Sequence, residues 1–385
     1  MRASASTGVD RLARFAGRPA SCDKGPVPSA FVFQSESDDP APAALVEVDD
    51  RLTADEALKR VRRGETLWYR GTFLNAKQLV SAMGRRLPKP APAKTALEAF
   101  RQERRARQLE HATLSKIVVG LDAEYRLLLT GAPLVSAGCR LLWGPPRGPL
   151  TVTALKTVLG LIGAEAWREK GLEVPGLTGL LHPAFGVYTP TRAEYVELLT
   201  RVRDVKGSTV FDVGTGTGVL SFVLLQRGAS KATGTDVEAR AVVCAQANAK
   251  ALGLSGRFTA VERALFPEGR ADLVVCNPPW IPEPPKNRFD VAVFDADEAF
   301  LRGFLSELPQ HLTQTGRGLL IISDLAELLG LRQPGALAQL IDASGLTIAR
   351  THTTKAKHGK AKDREDPLHA ARSRETTTLY ELVRR

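Results

Sequence analysis

The most constraining feature of the sequence is a glycine-rich turn between an apolar strand and a helix. Residues 209–213 read Thr-Val-Phe-Asp-Val, and Gly214, Gly216 and Gly218 follow at alternate positions. Glycines let the backbone approach a ligand closely, and the start of the next helix presents unpaired N–H groups. Because apolar strands alternate with amphipathic helices after residue 205, the pattern predicts an α/β fold with a doubly wound parallel sheet.

A carboxylate follows this turn at the end of a second predicted strand. Asp236 lies about 20 residues after the glycines, where a nucleoside-binding α/β fold places an acid that accepts hydrogen bonds from ribose hydroxyls. A purely structural alternative is that Asp236 caps the helix that begins near Val237, and this is compatible with ribose binding. Val219 stands where a dinucleotide-binding turn needs its last glycine, which disfavours an NAD-linked oxidoreductase.

A third motif ends the apolar strand at residues 271–276, which runs directly into Asn277-Pro278-Pro279-Trp280. Prolines have no N–H donor, so carbonyl oxygens are left facing the site beside the Asn277 side-chain oxygen. An NH2 group held by the Asn277 oxygen and the Pro278 carbonyl loses planarity, and its lone pair turns toward an electrophile. Trp280 can stack on a planar substrate. The structural alternative is a proline-rich turn with a tryptophan in the core.

Together the segments Asp212–Gly218, Asp236 and Asn277–Trp280 resemble the class I S-adenosylmethionine-dependent methyltransferases. The likeness is greatest to the branch that methylates amide or exocyclic amine nitrogens, which includes the release-factor glutamine, guanine-N2 ribosomal RNA and adenine amino methyltransferases. Residues 185–194 are similar to the segment before the first strand in the glutamine-modifying group. The resemblance spans residues 182–350 and implies a Rossmann-like sheet, S-adenosylmethionine as cofactor, and no metal.

The resemblance also implies a role for each matching residue. Asp212 would orient the amino group of the cofactor, and Asp236 would hold its ribose. Ala264 stands where the family often places an acid that bonds the adenine amine, so the adenine is expected to contact the backbone at Ala264 and Leu265. The residues implied to contact the cofactor are Asp212, Gly214, Thr215, Gly216, Gly218, Asp236, Ala264, Leu265 and Asn277. The residues implied to hold the acceptor are Asn277, Pro278, Pro279 and Trp280.

The sequence divides into three segments. Residues 1–44 are rich in Ser, Pro and Ala without periodicity, which predicts a disordered lead-in with order beginning near residue 45. Residues 45–174 are expected to form a mainly helical substrate-recognition domain. Residues 175–385 are expected to form the methyltransferase domain, with a basic insertion near residues 355–374 between the last two strands.

Local patterns in the first half of the chain predict individual elements. Thr53 with Glu56 three residues later has the spacing of a capping box at the start of a helix over residues 53–62, and residues 67–69 read as a strand. Thr191 and Glu194 repeat the capping-box spacing. Apolar residues recur at helical spacing between positions 93 and 171, at 109, 114, 117, 118 and 121 and again at 155, 158, 159 and 162.

The formal net charge of +11 is concentrated in two stretches. Residues 85–107 hold eight basic and two acidic residues, residues 350–385 hold ten and five, and the rest of the chain is balanced. This suggests an anionic partner, RNA or a ribonucleoprotein such as the ribosome. The side chains proposed to contact phosphates are Arg101, Arg104, Arg105 and Arg107, or Lys355, Lys357, Lys360 and Lys362.

The charge therefore favours a nucleobase amine in RNA as the methyl acceptor. Two alternatives stay open: a protein glutamine amide, and an inactive methyltransferase-like factor that only binds RNA. Whether the protein forms oligomers is left open.

The cysteine pattern and the hydropathy bear on the cellular compartment. The four cysteines are scattered without zinc-ligand spacing, so neither a disulfide framework nor a metal site is expected. No apolar run is long enough to span a bilayer, so a cytoplasmic location without a membrane partner is expected. The first 20 residues are basic and rich in small residues, which leaves open an organelle transit peptide or a disordered tail.

Overall fold

A computed structural model of the chain describes residues 31–37, 39–190 and 192–385, which build a five-stranded sheet and a seven-stranded sheet. The predicted disorder of residues 1–30 lies outside the described residues. Ordered structure begins before residue 45, the predicted position, because Val32–Gln34 forms a strand that pairs in parallel with Thr151–Ala154.

The five-stranded sheet is formed by the first half of the chain. Its strands are β1 (Val32–Gln34), β2 (Val46–Val48), β3 (Leu67–Tyr69), β4 (Ile117–Leu121) and β5 (Thr151–Ala154). Their order is β1-β5-β4-β3-β2, and β4 and β5 run antiparallel while the other pairs are parallel. The helices of this part are α1 (Ala54–Arg62), α2 (Phe73–Arg85), α3 (Ala96–Leu114), α4 (Ser136–Trp143) and α5 (Leu155–Lys170).

This half of the chain differs from the mainly helical domain that the sequence predicts. The helices are present, and Thr53 caps α1 by accepting a hydrogen bond from the Glu56 N–H at 3.3 Å, as expected. They pack, however, on a sheet. Residues 117, 118 and 121, which read as helical, belong to β4, whose five residues are all buried. A short continuous apolar run has no period that separates a buried strand from a helix.

The seven-stranded sheet has the doubly wound arrangement predicted for the second half. Its strands follow a short hairpin of β6 (Leu172–Glu173) and β7 (Leu180–Leu181), and they are β8 (Thr209–Val213), β9 (Lys231–Asp236), β10 (Phe258–Glu262), β11 (Ala271–Cys276), β12 (Leu312–Ser323), β13 (Leu346–Lys355) and β14 (Thr376–Arg384). The order is β10-β9-β8-β11-β12-β14-β13. Only β14 runs against its neighbours in this sheet. The α/β prediction is confirmed.

The helices of this half are α6 (Ala193–Glu197), α7 (Val219–Gln226), α8 (Ala239–Ala251), α9 (Ala299–His311), α10 (Leu325–Leu328), α11 (Ala336–Ala343), α12 (Gly359–Lys362) and α13 (His369–Arg372). The last two helices lie between β13 and β14, where the sequence places a basic insertion. None of the helices in the described ranges has the length and apolarity needed to cross a membrane. The three cysteines of the described ranges, Cys139, Cys244 and Cys276, are buried free thiols, and Cys22 lies outside those ranges.

Helix α3 connects the two halves of the chain. Ala99 and Phe100 on α3 pack in one apolar cluster with Ile281, Leu325 and Leu368 from the second half. The next turn of α3 carries Arg104, which donates a 2.7 Å hydrogen bond to the Pro284 carbonyl and pairs with Glu283 at 3.3 Å. The loop that follows β11 is therefore held from the first half of the chain.

Candidate active site

A cavity of about 560 Å³ opens at the carboxyl ends of β8, β9 and β11. This is the edge of a parallel sheet where doubly wound folds bind ligands. Its walls come from the glycine turn after β8, residues 236–238 after β9, Asn277 and Pro279 after β11, the segment 183–189, and residues 291–295. β8 and β11 pair directly, with Val213 opposite Cys276, so the glycine turn and Asn277 leave neighbouring strands. The three motifs found in the sequence therefore meet in one site.

The glycine turn has a backbone that favours glycine at each predicted position. Gly214, Gly216 and Gly218 have φ values of 74°, 54° and 85°. A side chain at Gly218 would also place its Cβ 2.3 Å from the ring of Phe222, a buried residue of α7. The N–H groups of Gly214 and Thr215 both donate to the Thr235 carbonyl, at 2.9 and 2.8 Å, which fixes the turn against β9.

Asp236 connects the same turn to the wall of the cavity. One carboxylate oxygen accepts a hydrogen bond from the Gly216 N–H and the other from the Glu238 N–H, each at 3.0 Å. Burial raises the pKa of this carboxyl group above its ordinary value. Helix α8 begins only after Glu238, so Asp236 does not cap it, and its remaining acceptor capacity lies at the cavity.

Asp212 lies beneath the turn and is fully buried, and it is not among the residues that line the cavity. Its Oδ2 accepts hydrogen bonds from Thr215 Oγ1 and Ser221 Oγ, both at 2.8 Å, and from the Ser221 N–H at 3.2 Å. Its Oδ1 has no partner within the described residues. Burial raises the pKa of Asp212 to about 6, against the opposing effect of these hydrogen bonds. A buried carboxylate with a free oxygen suits a cationic or N–H donor ligand.

The Asn277–Trp280 segment is held by the indole of Trp280. Its Nε1–H donates a 2.9 Å hydrogen bond to Asn277 Oδ1, which fixes the amide and leaves this oxygen one further lone pair. Asn277 and Pro279 line the cavity, and Pro278 is buried. Trp280 is partly buried against an apolar cluster and does not line the cavity.

One face of Trp280 is covered by Arg192, whose guanidinium carbon lies 4.8 Å from the ring centroid. Arg192 pairs with Glu375 at 2.8 Å and with Glu194 at 3.3 Å, and Glu375 is fully buried. Glu375 also accepts a 2.5 Å hydrogen bond from Ser323 Oγ. The structure thus ties the segment before β8, the Asn277–Trp280 segment and the end of the insertion into one network.

Sequence reasoning missed this network, because a pairing of residues 183 positions apart leaves no local signal. The spacing of Thr191 and Glu194 predicts instead that Glu194 belongs to a helix capping box. Its partner in that box, Thr191, lies outside the described residues. The observed contacts of the Glu194 carboxylate are with Arg192 and with the backbone N–H of Lys357 at 3.5 Å.

The two residues expected to contact the adenine lie apart from the cavity wall. Ala264 is exposed, and Leu265 is half-buried with a φ of 54°. The Leu265 carbonyl accepts a hydrogen bond from Thr235 Oγ1. Neither residue lines the cavity, whereas Val237 and Glu238, directly after Asp236, do.

The first half of the chain contributes residues that the sequence did not indicate. Ala164 and Trp167 on α5 line the cavity, and Trp167 is 48% exposed. Trp167 lies beside charged residues on a helix that otherwise packs on the first sheet, so only the tertiary arrangement identifies it. It forms an apolar part of the cavity wall together with Tyr188, Val291 and Phe294.

The raised pKa of Asp212 predicts a pH-dependent effect of the Asp212→Asn substitution. The folded protein holds a proton on this carboxyl up to about pH 6, and the unfolded chain only up to about pH 4. The wild type therefore loses stability as the pH rises through this window, by up to about 3 kcal/mol, and the asparagine variant does not.

Urea unfolding of both proteins at pH 4 and pH 7, at equal ionic strength, measures this difference. We expect the free energy of unfolding of the variant to rise relative to that of the wild type between the two pH values. Parallel pH profiles would show that folding does not raise the pKa of Asp212.

Comparison with known proteins places this site in a family. Residues 183–278 match the family model described as ribosomal protein L11 methyltransferase. A putative protein N5-glutamine methyltransferase of Methanocaldococcus jannaschii is 33% identical over 153 residues, which are 38% of this chain and 75% of that protein. The release factor glutamine methyltransferase of Cereibacter sphaeroides is 36% identical over 158 residues, which are 36% of this chain and 52% of that protein.

Among solved structures, a ribosomal protein L11 methylase from Lactobacillus delbrueckii subsp. bulgaricus aligns with a TM-score of 0.38 and 18% identity, covering 54% of this chain and 86% of that one. The chain spans about half the length of the bacterial release factor enzyme and three quarters of the archaeal protein. Because the archaeal relative is 33% identical and the match covers 75% of its length, the chain belongs to the class I S-adenosylmethionine-dependent methyltransferases.

Proposed function

We propose that the protein methylates the side-chain amide nitrogen of glutamine in a protein substrate. The observation that carries the proposal is the position of Asn277. Its side-chain oxygen, fixed by Trp280, lies in the same cavity as the glycine turn and Asp236. The archaeal relative, 33% identical over 153 residues, is named a putative protein N5-glutamine methyltransferase, which supports an amide over other NH2 groups.

The residues around the cavity fit the cofactor of this family. The Asp236 carboxylate is suited to the ribose hydroxyls, and the positive-φ glycines let the backbone approach the methionine portion. Asp212 does not line the cavity, so it would act on the amino group of the cofactor through the glycine turn that it holds, not by direct contact. When bound, S-adenosylmethionine supplies an activated methyl group on a positively charged sulfur.

The acceptor side of the cavity positions an NH2 group. Asn277 Oδ1 keeps a lone pair for one N–H of the amide, and the Pro278 carbonyl is placed next in the chain for the other. Two acceptors on one NH2 group draw its lone pair out of conjugation and toward the methyl group. Tyr188, Val291 and Phe294 give this side of the cavity an apolar wall.

The charge of the chain favours a nucleobase acceptor, whereas the archaeal and release-factor relatives, which are named for glutamine, favour the amide. Both acceptors carry a planar NH2 group, so Asn277 alone does not separate them. The family model matches residues 183–278, which contribute much of the cavity wall, while the basic stretches lie outside those residues. We therefore propose the glutamine amide ahead of a nucleobase amine as the methyl acceptor.

The identity of the methylated group is tested with methyl-labelled S-adenosylmethionine and a cell extract. We expect the label to resist nuclease, to be released by protease, and to appear in peptides as glutamine heavier by one methyl group. Label that is lost on nuclease treatment would overturn the glutamine proposal in favour of a nucleobase. Absence of cofactor binding in isothermal titration calorimetry would overturn both.

Two substitutions separate the cofactor side of the cavity from the acceptor side. Asp236→Ala removes a charged acceptor and should weaken cofactor binding by about 1–3 kcal/mol. Asn277→Ala should leave cofactor binding nearly unchanged and abolish methyl transfer. Calorimetry with the cofactor and single-turnover transfer assays measure the two effects, and each variant serves as the control for the other. Wild-type turnover by Asn277→Ala would refute its role in holding the acceptor.

Trp280→Phe tests whether the indole orients Asn277. Phenylalanine keeps an aromatic ring for Arg192 but removes the N–H donor, so kcat should fall about tenfold for one lost hydrogen bond, with cofactor affinity unchanged. Trp143→Phe is the matched control, because its indole also donates a side-chain hydrogen bond, to Glu36 at 3.0 Å, and neither of these two residues lines the cavity. An equal loss of kcat in both variants would point to a general effect on folding.

A further inference from the structure

Arg192 is a mostly buried cation that lies between two buried carboxylates. Its side chain is 17% exposed, and those of Glu194 and Glu375 are at most 4% exposed. Its Nη2 pairs with Glu375 at 2.8 Å and its Nε with Glu194 at 3.3 Å. Charges that are removed from water need partners in good geometry, so the two carboxylates fix the position of the guanidinium.

Glu375 is itself anchored at one end of the seven-stranded sheet. It directly precedes β14, and it accepts a 2.5 Å hydrogen bond from Ser323 Oγ at the end of β12. The next residues along these strands also bond to each other, because the Asp324 carboxylate accepts a 2.8 Å hydrogen bond from the Thr376 N–H. Arg192 is therefore tied through Glu375 to the ends of two paired strands.

The Arg192 guanidinium lies over the ring of Trp280, with its central carbon 4.8 Å from the ring centroid. The same ring packs against the apolar cluster that contains Val213 and Cys276. The indole N–H donates a 2.9 Å hydrogen bond to Asn277 Oδ1. Arg192 and the cluster thus hold the ring, and the ring holds the amide oxygen that is proposed to accept a hydrogen bond from the substrate.

The position of Trp280 favours support of Asn277 over the substrate stacking that the sequence predicts. Trp280 does not line the cavity, and Arg192 covers one face of its ring. Burial raises the pKa of Tyr188, which does line the cavity, and the positive charge of Arg192 opposes this rise. Arg192 therefore lies next to the cavity wall without forming part of it.

We propose that Arg192 is a positioning residue for methyl transfer, which acts through the Trp280 indole on the Asn277 oxygen. A planar guanidinium can pair with carboxylates while it stacks on an aromatic face, whereas a lysine ammonium is a compact charge. The alternative is that Arg192 only neutralises Glu194 and Glu375 in the folded chain. The inference rests on the proposed role of Asn277 in holding an NH2 group, and it does not depend on whether that group is an amide or a nucleobase amine.

Arg192→Lys separates these two roles, because lysine keeps the positive charge beside the carboxylates and loses the planar group over the indole. We expect the limiting rate of methyl transfer to fall about fivefold to tenfold, with unchanged affinity for S-adenosylmethionine in calorimetry. The rate is measured with saturating methyl-labelled S-adenosylmethionine and a cell extract that contains both protein and RNA. Stepwise dilution of the extract separates the limiting rate from the half-saturating amount, and a change confined to the latter would overturn the proposal.

A double-mutant cycle with Trp280→Phe tests whether Arg192 acts through the indole. Without the N–H donor the route from Arg192 to Asn277 is broken, so Arg192→Lys should lower the rate of the Trp280→Phe variant by less than about twofold. A loss by the same factor in both backgrounds would show that Arg192 acts independently and would refute the proposed route. Glu375→Gln removes the buried charge that anchors Arg192, and it replaces Arg192→Lys in the same cycle if the lysine variant does not fold.

The matched control is Arg70→Lys. Arg70 also lies over a tryptophan, 4.9 Å from the ring centroid of Trp68, and it pairs with Glu47 at 3.4 Å. None of these three residues lines the cavity, so the control should keep the wild-type rate. An equal loss in the control, or an unchanged rate in Arg192→Lys, would contradict a specific effect of Arg192.

A second measurement needs no substrate. The chain has four tryptophans, so isotope-labelled tryptophan gives four indole N–H signals in an NMR spectrum. The signal that disappears in Trp280→Phe belongs to Trp280. We expect Arg192→Lys to shift this signal and to speed its exchange with solvent, while the signal of Trp143 stays in place. A Trp280 signal that does not move would overturn the proposal.

The result is separable from that of the product analysis. A methylated nucleobase together with the expected cycle would refute the glutamine proposal and leave Arg192 in its positioning role. Methylglutamine together with an equal loss in both backgrounds would do the reverse.

Discussion

The pairing of β8 with β11 is the constraint on which the site depends. The two strands are parallel neighbours at the centre of the seven-stranded sheet, with Val213 opposite Cys276. The register of the two strands sets the position at which each strand ends, so the glycine turn after β8 and Asn277 after β11 leave the sheet side by side. A shift of one residue would turn the alternating side chains of either strand to the opposite face. Successive side chains of both strands pack into the apolar layers on the two faces of the sheet, so such a shift would exchange the residues of the two layers and is disfavoured.

A buried carboxylate supports the turn that leaves this pair. Asp212 accepts hydrogen bonds from the hydroxyl groups of Thr215 and of Ser221, which lies in the first turn of α7. Its other oxygen has no hydrogen-bond partner in the described residues. Burying such a group costs stability in the free protein. The cost is consistent with a site whose geometry is prepared for a ligand that completes the hydrogen bonding. Asp236, one strand away, raises the pKa of Asp212 further, so the two carboxylates would be stabilised together by a cationic ligand.

The sequence predicted the parts of the site whose chemistry is local. Glycines at alternate positions, an acid at the end of the next strand and the Asn-Pro-Pro-Trp segment each lie within a few residues, and all three reach the cavity wall. The five-stranded sheet was not predicted, because β1 to β3 have only three residues each and β4 is apolar throughout. The contact of Arg192 with Trp280 was not predicted either, because nothing local links a cation to a ring 88 positions later. The expected adenine contacts at Ala264 and Leu265 remain predictions.

The first half of the chain contributes directly to the structure of the site. Helix α5 supplies Trp167 to the cavity wall, and α3 holds the loop after β11 through Phe100 and Arg104. That loop carries Phe294, which contacts the Arg104 guanidinium and lines the cavity. If α3 were removed, the loop would lose both its apolar anchor and its carbonyl partner, and the acceptor wall would lose its fixed position. The methyltransferase sheet alone therefore does not complete the site, because the first half of the chain supplies Trp167 to the cavity wall and holds the loop that carries Phe294.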